Sequence, residues 1–467
     1  MIQLKTKQTD ITWSNFVFLA ETISDLKKID FLKIDTAILK DISKFLRLKE
    51  NTIKEYFIGN KKYERLIILV YKDNKESIID SFWVKFRSLP DNITVFSNNE
   101  KNEEDLLNIA TLSKHVFSDY KTDKKKDNKS YFLTTKTCEK NLEQRLSTLS
   151  CIINARNLGS TPASDLTPES FAKKIKSYKW KNSKVKVLSS KDIDKKKLWL
   201  IQAVWKGSEN KPCMVIIERI VDKKAPTYAC VGKWITFDSG GVQVKPWDSM
   251  YEMKGDMCWA WAVFGMMQNL DGKELQVNIV ACICLAENAI SSTSYRPSDI
   301  ITSYSWKTVD IIHTDAEWRL VLADGVSYIS KNYKPSNIMT VATLTWACMV
   351  ALWFRYGWIM WNDRKTIDTF LSQSKKSYEK YHELPFDSYF VNKCKSEVAD
   401  LENLNRWVYA GSTMWWAFIS HFCMHDEKYT HLDIAWAALN SYEPYGIANK
   451  WMTWFWVESI SNYYLSL

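Results

Sequence analysis

The sequence predicts an α/β protein in which a larger C-terminal domain is built on a central, mostly parallel sheet flanked by helices, with a smaller α/β domain before it. Three observations support this. Apolar runs of strand length alternate with helical patterns through most of the chain, and that rhythm makes a sheet covered on both faces. Glycine and acidic residues gather where two of those strands give way to helices, which is where open α/β sheets place their sites. Finally, 467 residues with 46% hydrophobic and 25% charged content suffice for two or three domains with ample cores.

Taken in order, residues 1–140 carry strand-like runs at Arg65–Tyr71 and Ile79–Val84 and a helix-like run at Glu104–Phe117. That mix predicts a small α/β domain, and no catalytic motif falls in it. Tyr120–Ser130 has almost nothing apolar to bury and reads as an exposed loop. Residues 141–156 form a connecting helix, on the helical periodicity of Leu142–Leu158. In the second domain, 157–467, Thr167 is placed to cap a helix whose first position is Pro168, because proline's fixed φ and missing N–H suit that position. Strands follow at Val185–Leu188, Met214–Glu218, Thr227–Val231, Val277–Leu285, Val309–Ile312 and Asn337–Ala342, with helices between most of them, including Glu252–Leu270 and Arg319–Tyr333. The longest uncharged run, Ile338–Phe354, contains three Thr and is slightly short for a membrane span, so it reads as a buried strand and turn.

The N-terminus, MIQLKTKQTD, lacks the apolar stretch of a secretory signal. Ten cysteines are scattered without a CxxC pair, so reduced thiols and a cytoplasmic location are expected, with Cys282 and Cys284 packed in a core strand. The net charge of +10 comes mostly from lysine. Runs such as Lys124–Lys126 and Lys195–Lys197 read as solvated surface, and neither nucleic acid nor a membrane is expected as a partner.

Two stretches carry chemistry. The first, VGKWITFDSGGVQVKPWDSMYEMKGD (Val231–Asp256), continues an apolar strand that ends at Lys233, turns through Asp238-Ser239-Gly240-Gly241, passes Lys245 and enters a helix carrying Asp256. The second, Asp315-Ala316-Glu317-Trp318-Arg319, leaves the strand Val309–Ile312 and opens a helix. The spacing Asp315-x-Glu317 points both carboxylates the same way if the strand's period of two persists. Taken singly, each acid is better read as a surface or capping group. Together, Asp238, Asp256, Asp315 and Glu317 suit a pair of divalent cations. Histidine does not: only six occur, and His421 and His425, one helical turn apart, have no third ligand nearby and read as a helix surface.

These segments resemble the leucine (cytosol) aminopeptidase family of two-zinc exopeptidases, whose signatures are NTDAEGR and an upstream VGKGITFDSGG…K…DMGG. The likeness runs from about Asn157 to the C-terminus and continues in Tyr295-Arg296-Pro297, Ala342-Thr343-Leu344-Thr345 and His431-Leu432-Asp433-Ile434-Ala435. It implies a catalytic domain at 157–467 that binds two divalent ions, Zn²⁺ or Mn²⁺, and releases N-terminal, leucine-like residues from peptide substrates.

The implied metal ligands are Lys233, Asp238, Asp256, Asp315 and Glu317. Asp238 and Glu317 would bridge, Lys233 and Asp256 would complete one ion, and Asp315 the other. A lysine ligand binds only as the neutral amine, so the ion must depress a pKa of about 10.4. The alternative for Lys233 is a salt bridge to Asp238. Lys245 and Arg319 are the implied catalytic pair. Lys245 would stabilise the negative charge of the hydrated carbonyl. Arg319 would hold a bicarbonate as general base, a planar cation suiting a planar oxyanion. The substrate pocket would be lined by Met253, Ala316, Thr343, Leu344 and Trp346, of which Met253 and Leu344 suit a large apolar side chain.

A homo-hexamer is implied too, shaped in part by the N-terminal domain. The chain departs from the family at His313, where asparagine is usual. An impaired relative serving as an oligomeric scaffold or DNA-binding regulator is the alternative. A different two-metal hydrolase, such as a phosphoesterase, is disfavoured by the lysine ligand and the apolar pocket.

One anomaly is compositional. The chain has 22 Trp and 13 Gly, whereas ordinary proteins carry about 7% glycine, so glycine falls short by roughly what tryptophan runs over. Trp234, Trp259, Trp306, Trp318, Trp346, Trp353, Trp358, Trp436, Trp454 and Trp456 stand where the resembling family has, or readily accommodates, glycine. This placement suggests UGA codons that the source organism reads as glycine.

Overall fold

The computed structural model describes residues 2–5, 14–20, 26–27, 29, 32–47, 52–58, 63–70, 75–89, 93–97, 100–122, 130–134, 138–251, 253, 255, 258–342, 352, 355–408, 410–433, 437–440, 451–453 and 456–467. The chain divides into two compact units, Met1–Ile153 and a larger one formed by Asn154–Ser441 with Trp451–Leu467.

The first unit holds a six-stranded sheet of β1 (Gln3–Lys5), β2 (Ser14–Ala20), β3 (Thr52–Phe57), β4 (Tyr63–Val70), β5 (Ile93–Ser97) and β6 (Tyr131–Leu133), in the order β1-β6-β5-β2-β4-β3. Its pairings are parallel except β3–β4. Phe16, Phe18, Leu66 and Ile68 of the sheet bury against Ile42 and Leu46 of the helix Thr36–Leu46. The expected strand at Ile79–Val84 is instead part of the helix Lys75–Ser88. Phe82, Trp83, Phe86 and Leu89 are all buried, and their spacing of three to four residues is helical, which a six-residue apolar run does not reveal. Glu104–Phe117 overlaps the helix Glu100–Ser113. Of Tyr120–Ser130, residues 120–122 are exposed and 123–129 lie outside the described residues.

Leu142–Leu158 lies within the helix Glu139–Ser160. The Thr167 hydroxyl accepts from the Ser170 N–H at 3.3 Å and opens the helix Pro168–Ser177 with proline in its first turn, as the sequence predicts.

The second unit is organised by β7 (Lys184–Leu188), β8 (Cys213–Arg219), β9 (Thr227–Asp238), β10 (Asn278–Asn288), β11 (Ile300–Thr302), β12 (Thr308–Asp310), β13 (Asn337–Ala342), β14 (Tyr356–Trp361), β15 (Lys380–Glu383), β16 (Leu401–Glu402) and β17 (Lys428–Asp433). Eight of these form one sheet in the order β15-β14-β17-β13-β9-β10-β8-β7, while β11-β12-β16 form a small separate sheet. The centre of the large sheet, β17-β13-β9-β10, is parallel throughout, and antiparallel strands are confined to its flanks.

The pleat sorts β9 between two helical layers, since successive side chains point to opposite faces. Val231 faces the helix Trp318–Tyr333, where a β-carbon on Gly325 would lie 3.2 Å from its Cγ1. Trp234 faces the other way, stacked 3.8 Å from Phe171, which in turn packs edge-on against Phe264 of the helix Cys258–Leu270. Helices thus cover both faces of a mostly parallel sheet, in agreement with the predicted class. Cys282 and Cys284 are fully buried, and both are free thiols. No helix among the described residues is long and apolar enough to cross a membrane. Of the run Ile338–Phe354, residues 338–342 belong to buried β13, and all but 352 of the rest lie outside the described residues.

Two local expectations need correction. Strand β9 does not end at Lys233 but runs on to Asp238, because β10 beside it continues the parallel ladder as far as Asn288↔Asp238. His421 and His425 do not share a helix surface. His421 caps the C-terminus of the helix Gly411–Ser420, its Nε2 lying 3.0 Å from the Val391 carbonyl, and His425 sits in the turn beyond.

Candidate metal centre

The site forms at the C-terminal ends of β9 and β10, where a parallel sheet leaves a crevice between strand ends and helix starts. Asp238 is the last residue of β9 and is buried. Its Oδ1 accepts from the Gly240 N–H at 3.0 Å and from Asn288 Nδ2 at 2.8 Å, so its orientation is fixed from its own turn and from the neighbouring strand end. The turn after it needs glycine. Gly240 has φ +88°, and a β-carbon there would come within 2.6 Å of the Gln243 carbonyl and 3.1 Å of Asp315 Oδ1. This close approach carries the backbone round to Lys245, whose N–H donates to the Ser239 carbonyl at 3.0 Å.

The second acidic stretch reaches the same place by a different route. Beyond β12 the chain leaves the ladder; Asp315 lies in a turn, and Glu317 already has helical angles (φ −71°, ψ −36°) at the head of Trp318–Tyr333. The period-two argument therefore does not explain why Asp315 and Glu317 converge. The turn does, and it is held by side chains from elsewhere. Gln243 Oε1 accepts from the Thr314 N–H at 2.8 Å, the Thr314 hydroxyl donates to the Gly240 carbonyl at 2.7 Å, and Tyr295 donates to the Thr314 carbonyl at 2.6 Å. Asn288 Nδ2 donates to the same carbonyl at 3.1 Å, so one amide orients both acidic stretches.

As a result, one carboxylate oxygen from each of Asp238, Asp315 and Glu317 lies within 4.8 Å of the others, with Asp238 and Glu317 buried. Two lysines enter this cluster. Odd-numbered side chains of β9 share the face of Val231, which brings Lys233 to Glu317 Oε1 at 3.5 Å, both side chains being at most 1% exposed. The ion-pair partner of Lys233 is thus Glu317, not Asp238. Lys245 takes Asp238 instead: its Nζ lies 2.9 Å from Asp238 Oδ2 and 2.5 Å from Asp315 Oδ1. Burial opposes the Lys245 ammonium, but the carboxylates of Asp238, Glu317 and Asp315 outweigh it and hold its pKa well above the usual lysine value. An oxygen cage that draws an ammonium so strongly has the hard, anionic donors that divalent cations require, and its residues fit such ions.

Arg319, in the first turn of the helix Trp318–Tyr333, is buried with its guanidinium 3.6 Å from the centre of the Trp415 ring. Nη1 donates to the Asn403 carbonyl, while Nε and Nη2 have no hydrogen-bond partner among the described residues. Burial lowers its pKa to about 9. His313 Nδ1 accepts from the Asp315 N–H at 3.1 Å. Burial, then the Arg319 and Lys245 charges, depress the His313 pKa, so the ring sits neutral with its proton on Nε2.

The structure therefore brings together Lys233, Asp238, Lys245, Asp315 and Glu317, with Arg319 on the adjoining helix. Asp256, Thr343, Leu344 and Trp346 lie outside the described residues. Of the remaining expected pocket residues, Ala316 is buried and Met253 half-buried. Sequence reasoning passed over Gln243, Asn288, Thr314 and Asn403. Only for Asn288 was there a signal, a polar residue closing an otherwise apolar strand.

The chain is similar to known proteins in sequence and in fold. Residues 153–461 match the family described as "Cytosol aminopeptidase family, catalytic domain". A "Probable cytosol aminopeptidase 1" of Shewanella oneidensis is 39% identical over 288 residues, covering 62% of this chain but only 57% of that protein. The crystal structure of a cytosol aminopeptidase from Coxiella burnetii superposes with a TM-score of 0.83 at 26% identity, covering 98% of each chain. The bottromycin maturation enzyme BotP in complex with Mn has the same fold, with a TM-score of 0.84 at 22% identity over 97% of this chain and 99% of BotP.

Proposed function

Because the chain belongs to the cytosol aminopeptidase family, we propose that it is a metal-dependent aminopeptidase that removes N-terminal, preferably hydrophobic, residues from peptides. One observation carries the reading: three carboxylates converge within 4.8 Å in a largely buried pocket. Like charges so placed repel one another and lose solvation, so the arrangement persists only where cations offset it. Lys233, Asp238, Asp256, Asp315 and Glu317 are the residues that would hold two divalent ions, Zn²⁺ or Mn²⁺. When bound, such ions supply an acidified water and polarise the scissile carbonyl.

The chain's own groups do the rest. Lys245, tethered through its backbone to Ser239 and held charged, is the fixed ammonium that favours the negative oxygen of the hydrated carbonyl over the neutral ground state. The guanidinium of Arg319 keeps two nitrogens without partners among the described residues, Nε and Nη2, a donor pair suited to a planar oxyanion such as bicarbonate. Buried Tyr295 and Asn288 exclude water behind the carboxylates and hold them in register. A pocket of Met253, Ala316, Thr343, Leu344 and residue 346 is the proposed seat of the substrate's first side chain. A cytoplasmic location and a homo-hexamer belong to this reading, and sedimentation of the purified protein tests the latter.

The activity test is hydrolysis of a leucyl chromogenic amide by protein stripped with chelator and reloaded with Mn²⁺ or Zn²⁺, beside the same amide N-acetylated. Restored cleavage of the free-amine substrate alone is expected. Cleavage that is indifferent to metal, or to acetylation, would reject the reading.

A further inference from the structure

Asn403 stands outside both acidic stretches, yet it is tied to more of the second one than any group considered so far. The short strand β16 pairs in parallel with β12 (Val309↔Leu401, Asp310↔Glu402), which delivers the next residue, Asn403, alongside the turn that follows β12. Asn403 is fully buried. Its N–H donates to the Asp310 carbonyl at 3.0 Å. Its Oδ1 accepts from the Ile312 N–H at 2.8 Å and the His313 N–H at 3.2 Å. Its Nδ2 donates to the His313 carbonyl at 2.8 Å and the Ala316 carbonyl at 3.4 Å. Its own carbonyl accepts from Arg319 Nη1. One residue thus bonds to Asp310, Ile312, His313, Ala316 and Arg319.

The chain from 311 to 317 belongs to no strand or helix, so its partly buried backbone groups rely largely on side-chain partners. A primary amide is the group that can accept from two N–H donors and donate to two carbonyls at once.

We propose that Asn403 is a positioning residue: it sets the turn that aims Asp315 and Glu317 at Asp238 and Lys233, and it orients Arg319 beside them. The proposal rests on the metal-centre reading for its functional consequence, but the control it exerts over the turn stands apart from that reading. Asn278 supplies a matched control. It is a similarly buried asparagine whose side chain bonds to Val221, Asp222 and Ala225, in a turn at the N-terminal end of β10.

Three variants, Asn403→Ala, Asn403→Ser and Asn278→Ala, would be compared with the parent protein, all carrying glycine at the ten tryptophan positions singled out in the sequence. The readouts are amide hydrogen exchange at Ile312 and His313, Mn²⁺ affinity by calorimetry, and kcat and KM on a leucyl amide. Asn403→Ala is expected to speed exchange at the two amides by roughly tenfold or more and to weaken Mn²⁺ binding by a similar factor, the scale of one lost buried hydrogen bond. In this variant kcat should fall while KM changes little, and Asn403→Ser should lie between it and the parent. Asn278→Ala should lower the melting temperature while leaving all three readouts at parent values. Exchange and Mn²⁺ affinity in the Asn403 variants no different from those of Asn278→Ala would overturn the proposal. So would failure of both Asn403 variants to fold while Asn278→Ala folds, since Asn403 would then be a general stability residue. If the parent itself takes up no Mn²⁺, the metal reading fails, and the exchange comparison still decides the role of Asn403.

Discussion

Replacing tryptophan by glycine at positions 234, 259, 306, 318, 346, 353, 358, 436, 454 and 456 should convert an insoluble chain into a folded one. The structure gives this a magnitude at four of these sites. Trp306 and Trp456 have φ +70° and +94°, and Trp456 is fully buried. A residue with a β-carbon pays about 1–2 kcal/mol to enter this left-handed region, which glycine occupies freely. Trp234 and Trp358 bury indole N–H groups that have no hydrogen-bond partner among the described residues, although a buried tryptophan normally finds one. Each orphaned donor costs about 1–3 kcal/mol.

These four positions alone thus remove about 4–10 kcal/mol, comparable with a whole domain's net stability of roughly 5–15 kcal/mol. The same orphaned indole marks Trp83, Trp205, Trp261, Trp361 and Trp416, whose codons need reading too. The site is touched directly. Trp318 stacks face to face with Trp415 at 4.1 Å, and Arg319 lies over Trp415, so glycine at 318 removes a ring from beside the guanidinium. The assay is soluble yield and melting temperature of the two versions expressed side by side, with the coding DNA read at each position. Soluble literal-tryptophan protein that melts as high as the glycine version, with TGG at these codons, would refute the reasoning.

Two further outcomes follow from the geometry. Lys245→Met keeps much of the side chain's bulk but removes the charge between Asp238 and Asp315. It should lower kcat on a leucyl amide by about 10²–10³ with little change in KM; a loss confined to KM would assign Lys245 to substrate binding instead. Asp324, buried in the helix Trp318–Tyr333, accepts from the Leu200, Ile201 and Tyr304 N–H groups at 2.9, 3.2 and 2.8 Å, yet burial raises its pKa to about 7. Unfolded aspartate titrates near 3.9, so between about pH 4 and 7 the folded chain holds a proton that the unfolded one lacks, and stability falls as pH rises, by up to about 1.4 kcal/mol per unit. Urea unfolding at pH 5 and 7.5 should show a smaller drop for Asp324→Asn than for the parent; an equal drop would mean the carboxylate is charged in the fold.

Much of this was legible in the sequence, for local reasons. Thr167-Pro168 announces its helix because a cap and its first proline act within four residues. Strands β10 and β13 read correctly because they are buried on both faces and largely apolar, whereas β9 runs past its predicted end at Lys233 and β17, which carries Thr430, His431 and Asp433, gave no strand signal. The run Ile79–Val84 misled because six apolar-rich residues fit either period, and the buried spacing emerges only when Phe86 and Leu89 are included. The carboxylates were legible as residue types, but not as a geometry. Asp315 and Glu317 converge through a turn tied to Asn403 and Gln243, some 90 and 70 positions away in the chain, and nothing in the second stretch names those partners. The exchange of ion-pair partners has the same origin. That Lys233 faces Glu317 follows from the pleat of β9 against a helix start, a contact 84 residues distant in the chain.

The central claim is that these carboxylates form a dinuclear cation site, and metal content tests it most directly. Elemental analysis of the correctly decoded protein, dialysed against Mn²⁺ or Zn²⁺ and freed of excess, should give about two ions per chain, and Asp238→Asn should lose at least one of them together with the activity. A parent protein carrying no divalent ion, or an Asp238→Asn variant with undiminished metal and turnover, would contradict the account.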